Sequence, residues 1–415
     1  MRPINPLLHR LHLLIGLGVG LALTPLFAAG ADEPILFNTA FEGASLGKVE
    51  AIGPTEYRLH VAGQHDERGR NRQATWYYFR MDRVAGRSLT LTLTDWVGEY
   101  NDRPGAVPMG PKLRPWLSED GKTWRPLEQM TWDETRKEAT VTFQPSSPSI
   151  WLAHLEPYTL SRMDGVLAAL GHSPHARLEQ IGRSVGGRPL WLVTITDFDQ
   201  PDTGKKTVWL QARQHAWETG TSFVMEGALR FAASDDPVAR RLRATTIFKF
   251  TPLVDPDGVA TGKVRFNANG YDLNRHWQDV DLRDPAQLRA MPEIWAVKKA
   301  IRDHGATGAR IALLVNLHNT RSEFMDTAVD REPERAPLDR LFARLVANSH
   351  FDPYRPMATL PGGSTMLALW WEMNVPVALM ELRTEPGRKS VTLPTSAERI
   401  EFGEQLIAAM AEAAR

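Results

Sequence analysis

The stretch WLQARQHAWETGTSFVMEGALRFA, from Trp209 to Ala232, places two polar residues between apolar segments. His215 and Glu218 lie three residues apart and follow a strand-like apolar run. Imidazole nitrogens and carboxylate oxygens are common zinc ligands, so the pair is a candidate metal site. In a chain with 12 histidines, however, one such pair is also expected by chance. Taken alone, the pair is more typical of a solvated turn between two buried elements, and other motifs must support the metal.

Strand-like and helix-like segments alternate along residues 156–415. Compact apolar runs, typical of buried strands, are LWLVTIT, TVWLQAR, TTIFKFTPLV, RIALLVNLH and PVALMEL. Helical patterns such as SRMDGVLAAL and DPVARRLRAT separate them, and EFGEQLIAAMAEAAR closes the chain as an amphipathic helix. This alternation predicts an α/β domain with a mixed central sheet flanked by helices. Functional residues of such sheets lie just past strand ends, where His215, His318 and Glu381 fall.

Residues 32–155 have a different pattern, with short alternating runs such as SLTLTLTDW, EATVTFQP and SIWLAHLEP. They predict an all-β sandwich domain that precedes the α/β domain. WLSEDGKTWRPL is typical of a hairpin that turns around Asp120-Gly121. The aromatic residues Trp76, Tyr77 and Tyr78 are interpreted as core, although carbohydrate binding by this domain remains an alternative. We expect the domain to pack on the α/β domain and to shape the mouth of a cleft.

The first 31 residues are interpreted as a signal peptide. Arg2 and Arg10 precede the apolar segment LLIGLGVGLALTPLFAA, and Ala29-Gly30-Ala31 fits a small-x-small cleavage site. The alternative is an uncleaved membrane anchor, which the short apolar core and Pro25 disfavour. We therefore expect an exported protein, periplasmic or secreted, with no stable membrane association after cleavage.

The composition excludes several classes of function. Lys+Arg and Asp+Glu are both 49, so the formal charge is zero and no basic surface for nucleic acid is indicated. The chain has no cysteine, which excludes disulfides, thiolate metal sites and cysteine nucleophiles. Any bound metal must therefore be held by His, Asp or Glu.

Three further motifs contain candidate functional residues. In LVDPDGVATGKVRFNANGYDLNRHW, Arg265, Asn274 and Arg275 lie in an irregular loop that could bind an anion or be an ordinary surface loop. His318 ends the apolar run ALLVNLH, where a core histidine would be equally ordinary. Glu381 ends the apolar run of NVPVALMEL. Burying a carboxylate is costly unless it is paired, so Glu381 is a functional candidate.

Together these motifs resemble the zinc carboxypeptidases of the M14 family. HAWE, DLNR, NLH and MEL follow one another in the family's order. The chain is most similar to the cytosolic carboxypeptidase-like subfamily, which places a β-sandwich before the catalytic domain. That similarity is carried by WYYFRM, WLAHLEPYTLSRM and DPDGVATGKVRFNANGYDLNRHW, and it extends from about Thr75 to the C-terminus.

The resemblance implies one Zn²⁺ per chain, held by His215, Glu218 and His318. Two histidines and one glutamate are the zinc ligands of carboxypeptidase A, which is an established example of such a site. Three protein ligands leave a fourth position for water. Asp272 would accept a hydrogen bond from His215 and orient its ring.

The resemblance also assigns the residues that act on the substrate. Glu381 would be the general base, and Arg265 would help to stabilise the oxyanion of the tetrahedral intermediate. Asn274 and Arg275 would bind the terminal carboxylate of a peptide and so fix the scissile bond one residue from its end.

The chain departs from the family pattern in several places. Ala216-Trp217 replaces the subfamily's usual Pro-Gly, and Trp217 would narrow the cleft or pack beneath the metal. The only tyrosine between the distal histidine and the base is Tyr354, in an unusual context for the family's substrate-facing tyrosine. Arg383, close to the base, is expected to face outward rather than into the pocket for the substrate's last side chain.

The sequence therefore predicts a zinc metallocarboxypeptidase that acts on peptides with a free C-terminal carboxylate. A zinc amidase acting on cell-wall peptides is an alternative, because those peptides also carry free carboxylates. A catalytically inactive peptide-binding protein is a third hypothesis. The side-chain preference, the oligomeric state and the native metal are left open.

Overall fold

The structure, a computed structural model, describes residues 33–359 and 364–415. The predicted signal peptide lies outside the described residues. Within them, no helix combines the length and apolar character that a membrane span requires.

The N-terminal part of the chain consists of strands. In chain order they are β1 (Leu36–Asn38), β2 (Val49–Ala51), β3 (Glu56–His60), β4 (Gln64–His65), β5 (Arg72–Gln73), β6 (Tyr78–Asp82), β7 (Leu89–Thr94), β8 (Glu99–Tyr100), β9 (Arg103–Pro104), β10 (Trp116–Ser118), β11 (Arg125–Pro126), β12 (Thr131–Asp133), β13 (Glu138–Phe143) and β14 (Ser149–Ala153).

Two five-stranded sheets enclose the core of this β domain. Their strand orders are β1-β6-β14-β10-β11 and β12-β13-β7-β3-β2, and a small sheet, β4-β5-β8-β9, lies beside them. Leu89, Leu91 and Leu93 of β7 are buried and pack with Phe79 and Leu152 of the facing sheet. The alternation of the sequence therefore buries one face of each sheet, which confirms the predicted sandwich. The predicted hairpin is also present, because β10 pairs with β11 around a turn that contains Gly121.

The C-terminal part alternates helices and strands. In chain order they are α1 (Leu160–Leu170), β15 (Ala176–Arg183), β16 (Pro189–Ile195), β17 (Lys206–Gln211), α2 (Thr219–Ala233), α3 (Pro237–Arg243), β18 (Thr246–Thr251), α4 (Pro256–Ala260), α5 (Pro285–Ala290), α6 (Pro292–Ala306), β19 (Ile311–Thr320), β20 (Phe324–Thr327), α7 (Ala336–Asn348), β21 (Ala358–Thr359), α8 (Ser364–Leu367), β22 (Val377–Arg383) and α9 (Ser396–Ala413). A π-helical turn, Ala368–Glu372, follows α8.

These strands form one mixed sheet of eight strands, in the order β15-β16-β18-β17-β19-β22-β20-β21. The four inner strands β18, β17, β19 and β22 are parallel, whereas β16 and β20 join them antiparallel. Parallel neighbours end at the same edge of a sheet, so the segments that follow β17, β19 and β22 meet there. This arrangement confirms the predicted mixed α/β fold.

The last helix begins earlier than its amphipathic pattern indicated. Thr395 accepts a hydrogen bond from the backbone of Glu398, whose side chain accepts one from the backbone of Thr395. This capping box satisfies the free N–H groups of the first turn, so α9 starts at Ser396.

The β domain packs against the end of α4 and the loop that follows it. The backbone N–H of Gly43 donates to the carbonyl of Ala260, and that of Glu67 donates to the carbonyl of Gly270. Between these contacts, the side chain of Gln64 forms hydrogen bonds with residues 264–266. The expected packing of the two parts is therefore present.

Candidate active site

Three polar side chains meet at the edge where the parallel strands end. His215 and Glu218 lie in the turn between β17 and α2, and His318 lies near the end of β19. β17 and β19 are parallel neighbours, so the turn after one strand stands beside the end of the other. All three residues are buried, with exposures of 2%, 2% and 1%.

The three side chains present their ligand atoms to a common point. Nδ1 of His215 lies 2.7 Å from Oε1 of Glu218, and Nδ1 of His318 lies 3.0 Å from Oε2. One ligand atom from each residue can be chosen so that all lie within 4.8 Å of one another. Two imidazoles and one carboxylate are a donor set that zinc prefers, so these residues fit the ion.

The charge states also suit a cation. Burial by itself would raise the pKa of Glu218, but His215 and His318 lower this pKa to about 2. Burial lowers the pKa of His318 and favours its neutral form. A deprotonated carboxylate and a neutral imidazole are the forms that bind metals.

Asp272 connects the histidine ligand to a neighbouring arginine. Its Oδ1 lies 3.1 Å from Nε2 of His215, and its Oδ2 accepts a hydrogen bond of 2.6 Å from Nε of Arg265. Although burial would raise the pKa of Asp272, Arg265 and His215 hold this pKa well below its usual range. The carboxylate can therefore fix the ring of His215 with Nδ1 facing the metal position.

Glu381 lies beside the three ligands on the same sheet. β19 and β22 are parallel, and their register pairs His318 directly with Glu381. Burial and the negative charge of Glu218 raise the pKa of Glu381 well above its ordinary value. Its Oε2 has no hydrogen-bond partner among the described residues. A buried carboxylate oxygen without a partner is costly to retain, which makes this group a functional candidate.

A cleft of about 950 Å³ opens over these residues. Arg265, Asn274 and Arg275 line it together with the metal-site residues and Glu381. Arg275 is exposed, whereas Asn274 is buried. The loop from 264 to 275 thus brings two guanidinium groups and one amide to the cleft that contains the carboxylate of Glu381.

Two residues considered from the sequence lie elsewhere. Tyr354 is 51% exposed and is not among the described residues that line the cleft. Its hydroxyl accepts a hydrogen bond from Arg355, and its ring packs on Phe324. The expectation that Arg383 faces outward was wrong. The chain after β22 folds back, so this guanidinium is buried and donates to the carbonyls of Glu385 and Thr392.

Sequence reasoning missed a buried arginine that supports the first two ligands. Arg213 has a φ of 63°, in the left-handed region that L residues rarely adopt. Its guanidinium donates to the carbonyl of Ala216 and to the hydroxyl of Ser222. It thereby holds the turn between His215 and Glu218. The sequence signal was a charged residue directly after an apolar strand.

The β domain contributes to the site in two ways. Oε1 of Gln64 accepts hydrogen bonds of 3.0, 2.8 and 2.9 Å from the backbone of Val264, Arg265 and Phe266, which holds the loop that carries Arg265. His154 lines the cleft, and its ring packs on Trp217 at a centroid distance of 6.1 Å. Trp217 therefore forms part of the cleft wall, which is one of the two positions expected for it.

Comparison with known proteins identifies related sequences. The profile of the family described as zinc carboxypeptidase matches residues 166–374. The profile described as cytosolic carboxypeptidase N-terminal domain matches residues 37–155. Mouse cytosolic carboxypeptidase 2 is 29% identical over 301 residues, covering 65% of this chain and 33% of that protein. Mouse cytosolic carboxypeptidase 6 is 28% identical over 339 residues, covering 77% of this chain and 60% of that protein. The chain thus spans a third to three fifths of the length of these relatives.

Solved structures share the fold over nearly the whole chain. A metallo-carboxypeptidase from Burkholderia cenocepacia superimposes with a TM-score of 0.77 at 23% identity, covering 92% of this chain and 99% of that chain. A metallo-carboxypeptidase from Pseudomonas aeruginosa, in complex with (2-guanidinoethylmercapto)succinic acid, gives 0.75 at 20% identity, covering 92% and 100%. At these identities the likeness establishes the fold.

Proposed function

Because this chain belongs to the zinc carboxypeptidase family, we propose that it is a zinc-dependent enzyme that removes C-terminal residues from peptides. One observation carries the proposal. The set His215, Glu218 and His318 shares a single cleft with the carboxylate of Glu381, one oxygen of which is buried without a partner among the described residues. The arginines and the amide of the neighbouring loop supply the groups that a peptide terminus requires.

His215, Glu218 and His318 would hold the zinc ion, and Asp272 would fix the ring of His215. When bound there, zinc supplies Lewis acidity, which polarises the scissile carbonyl and makes water more acidic. Arg265 places a positive charge where negative charge develops on the carbonyl oxygen.

Glu381 is the proposed general base. Its raised pKa means that the carboxylate is a stronger base than an exposed glutamate. It takes a proton from the attacking water and delivers it to the amine that leaves. Asn274 and Arg275 bind the terminal carboxylate and hold the last peptide bond at this base.

The proposal is tested with purified protein and a mixed library of short peptides that includes cell-wall peptides. Mass spectrometry identifies which residues are released and from which end. We expect loss of single C-terminal residues that a chelator stops, that zinc restores, and that Glu381→Gln lacks while still binding zinc. Release confined to the cell-wall peptides would support the amidase function instead of the peptidase function. No release from any member would contradict a hydrolytic function.

We also propose that the protein acts outside the cytosol, because residues 1–31 have the composition of a signal peptide. The names of the mouse relatives describe those proteins as cytosolic. N-terminal sequencing of the protein from fractionated native cells tests the location. A periplasmic or secreted form that begins near residue 32 supports export, whereas a cytosolic form that retains Arg2 and Arg10 contradicts it.

A further inference from the structure

A chain of buried polar side chains connects the metal site to the proposed carboxylate clamp. Gln214, Thr365 and Asn316 are completely buried, with exposures of 0%. None of them contributes a metal ligand, and none has a role in the mechanism above. Since buried polar groups are costly unless they are paired, their bonding partners indicate what they do.

Gln214 uses its full hydrogen-bonding capacity. Its Oε1 accepts a bond of 2.7 Å from Nδ2 of Asn316 and lies 3.2 Å from Nε2 of His318. Its Nε2 donates to the carbonyl of Leu273 at 2.8 Å and to the hydroxyl of Thr365 at 3.1 Å. An amide has two donors and two lone pairs, so this side chain has a single orientation.

Gln214 also contacts the ring of His318. Nδ1 of His318 faces Glu218. Its Nε2 lies 3.0 Å from Nδ2 of Asn316 and 3.2 Å from Oε1 of Gln214, and of these two atoms only the oxygen is an acceptor. When Nδ1 is a metal ligand, Nε2 carries the proton and donates it to this oxygen.

Thr365 links Gln214 to Asn274, a residue of the proposed carboxylate clamp. Its hydroxyl accepts from Gln214 and donates to Oδ1 of Asn274 at 2.6 Å. The oxygen of the Asn274 amide is thus held inside the protein. Its Nδ2 has no acceptor among the described residues, and Asn274 lines the cleft. The amide therefore offers the cleft a donor, which is what a carboxylate requires.

We propose that Gln214 and Thr365 are positioning residues, which form a head-to-tail hydrogen-bond chain from His318 to Asn274 and keep the amide nitrogen of Asn274 facing the substrate carboxylate. The inference rests on the proposed function, because it assumes that a carboxylate binds at Asn274. Without the Thr365 hydroxyl, the Asn274 amide is free to rotate and to present its oxygen to the carboxylate, which repels it.

The test compares Thr365→Val, which keeps the shape but removes the hydroxyl, with Thr365→Ser, which keeps the hydroxyl. Steady-state kinetics are measured with the best peptide of the library. We expect Thr365→Val to raise KM about tenfold, because one charge-assisted hydrogen bond is lost, and to change kcat by less than about threefold. Thr365→Ser should restore KM, a rescue that general damage to the fold would not give.

Binding measurements on the zinc-loaded proteins provide a readout that does not depend on catalysis. Calorimetry uses a panel of N-acetyl amino acids, which carry a free carboxylate, and acetohydroxamate, which binds metals but has no carboxylate. Thr365→Val should lower the affinity for the N-acetyl amino acids about tenfold and leave the affinity for acetohydroxamate unchanged. Gln214→Leu should in addition lower the affinity for zinc about 10- to 100-fold in chelator competition, since a hydrogen-bond partner of His318 is removed.

The outcomes separate this inference from the proposed function. If wild-type protein cleaves peptides and Thr365→Val has unchanged KM and binding, the inference is wrong and the function stands. If wild-type protein cleaves nothing but binds the panel, and Thr365→Val weakens this binding, the hydrolytic function fails and the inference stands. If wild-type protein binds no member of the panel, both the carboxylate clamp and the hydrogen-bond chain are wrong.

Discussion

His154 follows strand β14 and is a buried histidine whose Nδ1 has no hydrogen-bond partner among the described residues. Its ring lies among the aromatic rings of Tyr77, Trp96 and Trp217. Such surroundings disfavour the charged imidazolium, and burial lowers the pKa of His154 to about 3. The unfolded chain binds a proton near pH 6.5, so folding excludes that proton at mildly acidic pH.

We predict that His154 makes the protein sensitive to acid. Stability is lost as the pH falls from about 6.5 towards the folded-state pKa of about 3, because only the unfolded state gains the proton. From pH 7 to pH 5 this effect lowers the free energy of unfolding by roughly 2 kcal/mol. His154→Gln should remove that part of the pH dependence in urea titrations at the two pH values.

The same substitution at an exposed histidine, His172→Gln, is the control. Equal pH dependence in wild type and His154→Gln would show that the buried ring does take up a proton in the folded protein.

Helices α2 and α9 approach closely at two glycines. A Cβ atom at Gly403 would overlap the carbonyl oxygen of Val224, and one at Gly227 would overlap that of Ile400. This contact matters for the site because α2 begins directly after Glu218. The packing of the last helix therefore helps to fix the position of a proposed zinc ligand.

We predict that Gly403→Ala destabilises the protein by about 3 kcal/mol, since the added methyl forces the two backbones apart. Gly165 in α1 is the matched control, because a Cβ there has no atom within 4 Å. Gly165→Ala should stabilise the protein by about 0.5–1 kcal/mol. Urea unfolding measures both values, and similar effects of the two substitutions would contradict the close approach of α2 and α9.

The contact between the β domain and the Arg265 loop is expected to affect catalysis. Gln64→Ala removes the bonds that hold the loop backbone, so we predict that kcat falls about tenfold. In a background of Arg265→Ala the same substitution should have little further effect on kcat, because it acts through that guanidinium.

Glu42→Ala is the control for the contact of Gln64. Glu42 also joins the β domain to the second part, by accepting from the backbone and hydroxyl of Ser161, and these hydrogen bonds do not involve the Arg265 loop. It should leave kcat unchanged. Additive losses in the double variant Gln64→Ala/Arg265→Ala would contradict the positioning role of Gln64.

Elements of the fold followed from local sequence patterns, whereas the contacts between them did not. The alternation of β7 and the apolar runs of β17, β19 and β22 were sufficient to predict a sandwich and a mixed sheet. The positions of polar residues just past strand ends, together with the family resemblance, predicted which of them would meet. The bonds of Gln64 and the proximity of Gly403 to Val224 depend on how distant segments pack, and no local periodicity encodes them. Arg383 was misjudged because burial depends on the chain that folds back after β22.

At the scale of the whole molecule, zinc is expected to contribute to stability. The three proposed ligands come from a turn and a strand that are far apart in sequence, so bound zinc would stabilise only the folded chain. With free zinc about 1,000-fold above its dissociation constant, the gain is about 4 kcal/mol, which corresponds to a melting temperature higher by on the order of 10 °C.

Thermal unfolding with a chelator and with added zinc measures this effect. Glu218→Gln removes one ligand with little change of shape, so its melting temperature should respond only weakly to zinc. An equal response in wild type and variant would place the stabilising zinc elsewhere on the protein.

In the proposed function, Glu381 is the general base for zinc-dependent hydrolysis of the last peptide bond, and Asn274 and Arg275 bind the terminal carboxylate of the substrate. The most direct measurement compares two peptides that differ only at the C-terminus, one a free acid and one an amide. Zinc-loaded protein is assayed beside chelator-treated protein and Glu381→Gln. We expect zinc-loaded wild-type protein to release the terminal residue of the acid at least about 100-fold faster than that of the amide, and the other two preparations to release neither. Equal cleavage of both peptides, or cleavage that persists in Glu381→Gln, would contradict the proposed function.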